Sequence, residues 1–322
     1  MRRIRAWALG LLCLWGCAYR EPEAGVALRQ ALQLPYYRGK LYPEVLHQWR
    51  QRDLVFEQVR FRGRDHQWVA GLACYSELAR TRPLPALLCI PGSANRKEEL
   101  LQPLNLLPRW ADQGFFVLSV DRFPDESALL ERKGLAGIWG EQVHNLVRTL
   151  DYLEGRPEVV EGRIGMLGLS LGGMEALWLG AVDRRVKVVV SVAGHLSWAE
   201  VFGGEAWRLI FADLPLGRRL RGAGASGEEA WGAFCQTYPQ LPELDAGRVA
   251  AGLAPRPLLL MTGSRDPVTP PAATRRVFEE ARPAFAASGG ASRLEMWVEP
   301  GIGHGFSYPM QDRALEWFQR WL

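Results

Sequence analysis

The segment "GLSLGG", Gly168 to Gly173, sets a serine in the pattern G-x-S-x-G. A serine hydroxyl is a weak nucleophile at neutral pH. The chemistry offered here, attack on an acyl carbon, therefore needs a base to take the proton and a third group to orient that base. With 34 glycines in 322 residues, chance produces the pattern readily, so its setting must carry the argument. "RIGMLGL" is a short β-rich run that ends at Ser170, and "LGGMEALWLGAV" begins a helix at Leu171. The serine thus falls at a sharp strand-to-helix corner. Gly168 and Gly172 lack side chains where such a corner crowds strand against helix. The helix amides beginning at Leu171 point to where negative charge would develop. The competing reading is an ordinary serine at a strand end, which would not need those glycines.

Five histidines are available as the base. His47, His66 and His144 precede the corner, on segments where solvated positions are expected. His195 ends the next strand, "VKVVVSVAG", where its loop is expected to wall a pocket. His304 lies in "PGIGHGF", after the last strand, and Gly301, Gly303 and Gly305 let that loop swing an imidazole across the strand ends. Asp266 in "LLLMTGSRDPVTP" ends another strand at the same edge, its turn stiffened by Pro267 and Pro270. Taken singly, Asp266 reads equally as a turn residue and His304 as a loop histidine. Together with Ser170 they form a nucleophile, a base and an orienting carboxylate at three expected strand ends. An acyl-transfer site also needs backbone donors for an oxyanion. The amide of Leu171 is one, and the loop "CIPGSAN" supplies the other, assigned to Ser93 with Ala94 as the neighbouring alternative.

These residues require an α/β scaffold. From Pro85 onward, short apolar runs alternate with amphipathic segments, the pattern of a mostly parallel sheet covered by helices on both faces. Expected strands are "ALLCIPG", "FFVLSVDRF", "RIGMLGLS", "VKVVVSVAG", "PLLLMTGS" and "LEMWVEP". Right-handed connections bring all their carboxyl ends to one edge, where α/β sites form. Before this unit, "DLVFEQVRFR" and "QWVAGLACY" alternate as an antiparallel hairpin. Residues from 197 to about 250 interrupt the rhythm and are expected to form a helical cap. Within them "GAGASG" matches a dinucleotide-binding pattern but follows no strand and reads as a loop. Trp110, Trp139, Trp178 and Trp317 occupy helical packing positions, whereas Trp198, Trp207 and Trp231 in the cap are candidates to line a pocket.

The chain resembles the α/β-hydrolase superfamily, and within it the dienelactone-hydrolase-like and acetyl-xylan-esterase-like branch. The likeness rests on residues 156–194, on "GSRDPVTP", on "GIGHGF" and on the chain order Ser170, Asp266, His304. It implies the α/β-hydrolase fold and a serine esterase-type hydrolase that cleaves small carboxylic esters or thioesters. The implied route is an acyl-enzyme on Ser170, released by water activated through His304, with no metal or organic cofactor. Two departures stand out. Pro91-Gly92 replaces the usual His-Gly after the first parallel strand, and Ser170 stands where dienelactone hydrolases carry cysteine. An acyltransferase sharing the same acyl-enzyme, or a non-catalytic lipid-anchored binding protein on this fold, are the alternatives.

The amino terminus reads separately. "MRRIR" followed by "AWALGLLCLWG" has the form of an export signal. "LWGC" resembles the lipobox of bacterial lipoproteins, which implies lipidation at Cys17 and membrane attachment in the bacterial cell envelope, with a plain signal peptide or an uncleaved anchor as the alternatives. The expected organisation is a signal at residues 1–16, a polar tether at 17–35 and one domain at 36–322. Cleavage before Cys17 removes Arg2, Arg3 and Arg5 and lowers the formal charge from +4 to 4 − 3 = +1. A nearly neutral domain argues against nucleic-acid binding. Cys74, Cys89 and Cys235 lack the short spacing of a metal site. Cys89 reads as a small buried hydrophobe, with a single disulfide as the other possibility.

Overall fold

The alternation in "DLVFEQVRFR" divides one strand between two cores. Val55, Val59 and Phe61 enter the larger core and Leu54 and Phe56 the smaller, as a two-residue repeat dictates. The computed structural model describes residues 23–35, 39–64, 67–93, 96–121 and 126–322. The proposed signal segment, Cys17, His66 and Ala94 lie outside them.

In chain order the elements are α1 (Glu23–Ala31), β1 (Glu44–Gln51), β2 (Leu54–Arg62), β3 (Trp68–Ser76) and β4 (Leu84–Ile90). They continue with α2 (Leu106–Ala111), β5 (Phe116–Val120), α3 (Glu126–Glu154), β6 (Val159–Leu169), α4 (Leu171–Val182) and β7 (Val186–Val192). The five short helices α5 (Trp198–Gly203), α6 (Trp207–Ile210), α7 (Pro215–Gly222), α8 (Gly227–Thr237) and α9 (Ala246–Ala251) form the insertion before β8 (Leu258–Gly263). Then come α10 (Pro271–Ala287), β9 (Leu294–Glu299) and α11 (Tyr308–Trp321). The strands make one sheet in the order β1-β2-β3-β5-β4-β6-β7-β8-β9. The pairs from β1 to β5 through β3 are antiparallel, and those from β5 to β9 are parallel.

Helices α3, α4, α9 and α10 cover one face, joined by Leu88 and Ile90 of β4. Helices α2 and α11 cover the other, joined by Leu87 and Cys89. Cys74, Cys89 and Cys235 are all free, so no disulfide links the described cysteines. The "GAGASG" stretch is the α7–α8 connection, where Ser226 caps α8 by accepting from the Glu229 amide.

Three sequence-based expectations need correction. Part of the segment read as a tether is a docked helix: Leu28 of α1 is buried, and the Arg29 guanidinium donates to the Val182 carbonyl of α4. An additional edge strand, β1, precedes the expected hairpin; its residues are almost all exposed, so it carries no burial alternation to read. His144 is buried on α3 instead of solvated.

His195 is fully buried. Its Nδ1 lies 3.2 Å from Ser191 Oγ and its Nε2 2.8 Å from Thr274 Oγ1 of α10. Removal from water pushes its pKa down to about 3 from an ordinary 6.5, against the pull of the Asp266 charge.

Two outcomes follow. Leu28→Ala should lower the unfolding free energy by about 2–5 kcal/mol in urea denaturation; a change under about 0.5 kcal/mol would return this segment to a loose tether. Between pH 6.5 and 3 the unfolded chain protonates at His195 while the folded chain does not, so folding stability falls as the pH drops through this window. Between pH 6.5 and 5 the wild type should lose stability more steeply than His195→Gln, by about 1 kcal/mol per pH unit. Parallel pH profiles for the two proteins would contradict a neutral buried ring.

Candidate active site

Ser170 stands between β6 and α4 with φ 53° and ψ −125°, a backbone conformation that a side chain normally avoids and that surrounding structure must hold in place. Its amide donates to Val192 O of β7 at 2.8 Å, and its carbonyl accepts from Gly173 N at 2.8 Å. The corner tolerates no extra carbon nearby. A Cβ on residue 168 would lie 1.9 Å from Gly172 O, and one on residue 172 would lie 2.6 Å from Pro91 O. The same crowding brings the loop after β4 against the serine, since a Cβ on residue 92 would meet Ser170 Cβ at 3.3 Å.

The structure brings Ser170, His304 and Asp266 into one hydrogen-bonded row. His304 Nε2 lies 2.9 Å from Ser170 Oγ, and its Nδ1 lies 2.8 Å from Asp266 Oδ2 and 3.0 Å from Oδ1. With the Nδ1–H facing the carboxylate, Nε2 is free to accept the serine proton. Asp266 is buried, whereas the His304 side chain is 30% exposed. The ring therefore faces the cavity from a carboxylate anchored in the interior.

Burial opposes ionisation of Asp266, but the hydrogen bond from His304 and those from the Thr269 and Val268 amides, with the attraction of the imidazole, outweigh it. They hold the carboxyl below the ordinary carboxylate range. Both amides donate to Oδ1, at 2.8 Å from Val268 and 2.9 Å from Thr269. Thr262 donates to the Thr269 carbonyl at 2.6 Å, and Thr269 Oγ1 donates to the Ala193 carbonyl at 2.8 Å. Two further contacts tie the β8 turn to the loop carrying His304: Arg265 N donates to Ile302 O, and Gly301 N donates to Ser264 Oγ.

Thr262, Val268 and Thr269 carry no signal as single residues in the sequence. The signal lies in "DPVT", where an aspartate accepting amides two and three residues ahead makes a local turn.

Ser93 and Leu171 both line the cavity beside Ser170. Further along, Lys97 is held by Asp121, whose carboxylate accepts from its amide at 3.0 Å and from its ammonium at 2.6 Å. Leu171 opens α4, so its amide is one of those a helix start leaves without an intrahelical acceptor. His195 takes no part in the row. The backbone around it lines the cavity at Gly194 and Leu196, but its ring turns into the fold.

The cavity has a volume of about 820 Å³. Trp198 lines it, as does Trp139, which the sequence suggested only for packing. Trp207 instead packs within the insertion against Phe202, as does Trp231. Among the described residues, no group of three metal-ligating side chains comes together.

The model of the prolyl oligopeptidase family matches residues 110–322. A relative from Bacillus subtilis (strain 168), "Putative hydrolase YtaP", is 27% identical over 260 residues, covering 74% of this chain and 79% of its own. A glucuronoyl esterase from Solibacter usitatus superposes with a TM-score of 0.69 at 18% identity, covering 94% of this chain and 92% of its own. Acetyl xylan esterase 1 from Thermoanaerobacterium sp. JW/SL YS485 does so with a TM-score of 0.66 at 18% identity, covering 93% and 94%. At such identities these two structures speak for the fold, whereas the family match speaks for descent. The chain belongs to the prolyl oligopeptidase family, within the α/β-hydrolase superfamily, and is a hydrolase of the serine esterase type.

Proposed function

We propose that the protein hydrolyses carboxylic esters through an acyl-enzyme on Ser170. The observation that carries this reading is the continuous row from Asp266 through His304 to Ser170, with contacts of 2.8 and 2.9 Å on either side of one imidazole.

In this reading Ser170 Oγ attacks the ester carbonyl while its proton passes to His304 Nε2. Asp266 keeps Nδ1–H oriented and stabilises the imidazolium that forms. The negative oxygen of the tetrahedral intermediate takes hydrogen bonds from the Leu171 and Ser93 amides, at the positive end of α4. Collapse breaks the bond to the alcohol, which leaves with the proton from His304, and the acyl group remains on Ser170. Water then gives its proton to His304 and attacks the acyl carbon. The second intermediate collapses to release the carboxylic acid, and Ser170 recovers its proton. Every proton moves through one ring, which is why the carboxylate behind it is held ionised.

Export and lipid attachment at Cys17, in a bacterial envelope, belong to this proposal as well. They rest on the sequence signals alone, because residues 1–22 lie outside the described structure.

Ser170→Ala and His304→Ala should each lower ester turnover by about 10⁴–10⁶-fold with the fold intact by circular dichroism. A loss under tenfold would assign the chemistry to other residues. Radiolabelled palmitate should enter the wild type and not Cys17→Ser when each is expressed in a bacterium; equal labelling would refute attachment there.

A further inference from the structure

Taking Ser170 as the acyl-enzyme nucleophile, we infer that the substrate is a neutral ester with a bulky apolar acyl group, and not an acetylated or uronate-bearing sugar. The acyl group expected is an aromatic ring or a chain of about six to ten carbons, a size suited to a cavity of this class.

Three observations support this. The first is size and surface. An acetyl group would leave most of the 820 Å³ empty, whereas the inner wall is built from Leu135, Ile138, Trp139, Trp198 and Phe211, all buried and apolar. Covering such a wall with substrate carbon removes it from water, which favours each added methylene.

The second is the scarcity of partners for sugar hydroxyls. Among the described lining residues there is no Asn, Gln, Tyr, Lys or Arg. Outside the hydrogen-bonded row, Ser93, Glu99 and Asp213 are the described lining residues with hydroxyl or carboxyl side chains. The Trp198 indole N–H is already committed to the Leu241 carbonyl at 2.8 Å. Nor do the tryptophans offer open platforms for a sugar ring. Trp139 and Trp198 are 6% and 3% exposed and stack on each other with centroids 6.5 Å apart. A buried sugar would leave hydroxyls stripped of water and unpaired, which disfavours its binding.

The third is charge. Glu99 and Asp213 are the acidic lining residues, and no cation among the described lining residues offsets them. A substrate carboxylate would meet these like charges, Glu99 half-buried and Asp213 exposed to solvent, and then the apolar wall, whose described residues offer it no cation. The leaving alcohol must depart beside His304, whose neighbours Val268, Gly305 and Phe306 form that side of the lining. The wall contributed by α3 and the helical insertion is then available to the acyl group.

The test is a set of specificity constants with the full chain. From p-nitrophenyl acetate to hexanoate, kcat/KM should rise by about 10-fold or more. The mono-p-nitrophenyl ester of adipate, as long as the hexanoate but ending in a carboxylate, should be at least about 100-fold poorer than the hexanoate. Ile138→Trp, which adds bulk to this wall, should lower the hexanoate-to-acetate ratio of kcat/KM by about 10-fold. Should that variant not fold, the wild-type series decides alone. The inference is overturned if acetate matches hexanoate, if adipate matches hexanoate, or if an acetylated xylo-oligosaccharide or a methyl glucuronate ester is the better substrate. Ser170→Ala separates the two readings. If it abolishes turnover of whichever ester is preferred, the acyl-enzyme reading stands whatever that ester is. If it retains hexanoate turnover, both readings fall together.

Discussion

A single buried carboxylate organises the candidate site. Asp266 is removed from water, yet two backbone amides and the His304 ring hold it below the ordinary carboxylate range. An interior negative charge is costly unless it is paired and hydrogen-bonded. Here the partner that pairs it is the ring whose other nitrogen meets Ser170. The orientation of the imidazole is thus a consequence of satisfying Asp266. Any change that moves the Val268 and Thr269 amides therefore alters the charge that fixes the His304 ring.

The opposite end of the row is fixed by crowding. Ser170 keeps its positive φ because β6, α4 and the loop after β4 approach one another too closely for side chains at 168 and 172. The close approach also sets the β4 loop beside Ser170, and Ser93 and Leu171 both line the cavity there. One end of the row is held by electrostatics and the other by sterics, and the parallel strands carry both to the same sheet edge.

The residues of the hydrogen-bonded row were legible because each sits where a strong local signal ends: a strand running into a glycine-flanked helix start, a strand followed by "DPVT", a strand followed by a glycine-rich loop. The parallel core was equally plain, since runs such as "VKVVVSV" and "PLLLM" admit few other roles. What escaped were elements whose identity depends on partners distant in sequence. Glu44–Gln51 is an exposed edge, so it shows no burial alternation. The α1 helix is amphipathic, but its apolar side gains meaning only from the face of α4 that receives it. Trp139 on α3 packs against Trp178 of α4 and also lines the cavity, a double role that spacing along one helix cannot reveal. The contribution of the insertion was legible as a position in the chain but not as a surface.

The central claim, that Ser170 carries the acyl group, is tested most directly by mass spectrometry of the acid-quenched reaction with a p-nitrophenyl ester. The account predicts added acyl mass on the tryptic peptide spanning residues 164–184, and its absence in Ser170→Ala. Acyl mass on a different peptide, or undiminished product formation by Ser170→Ala, would contradict it.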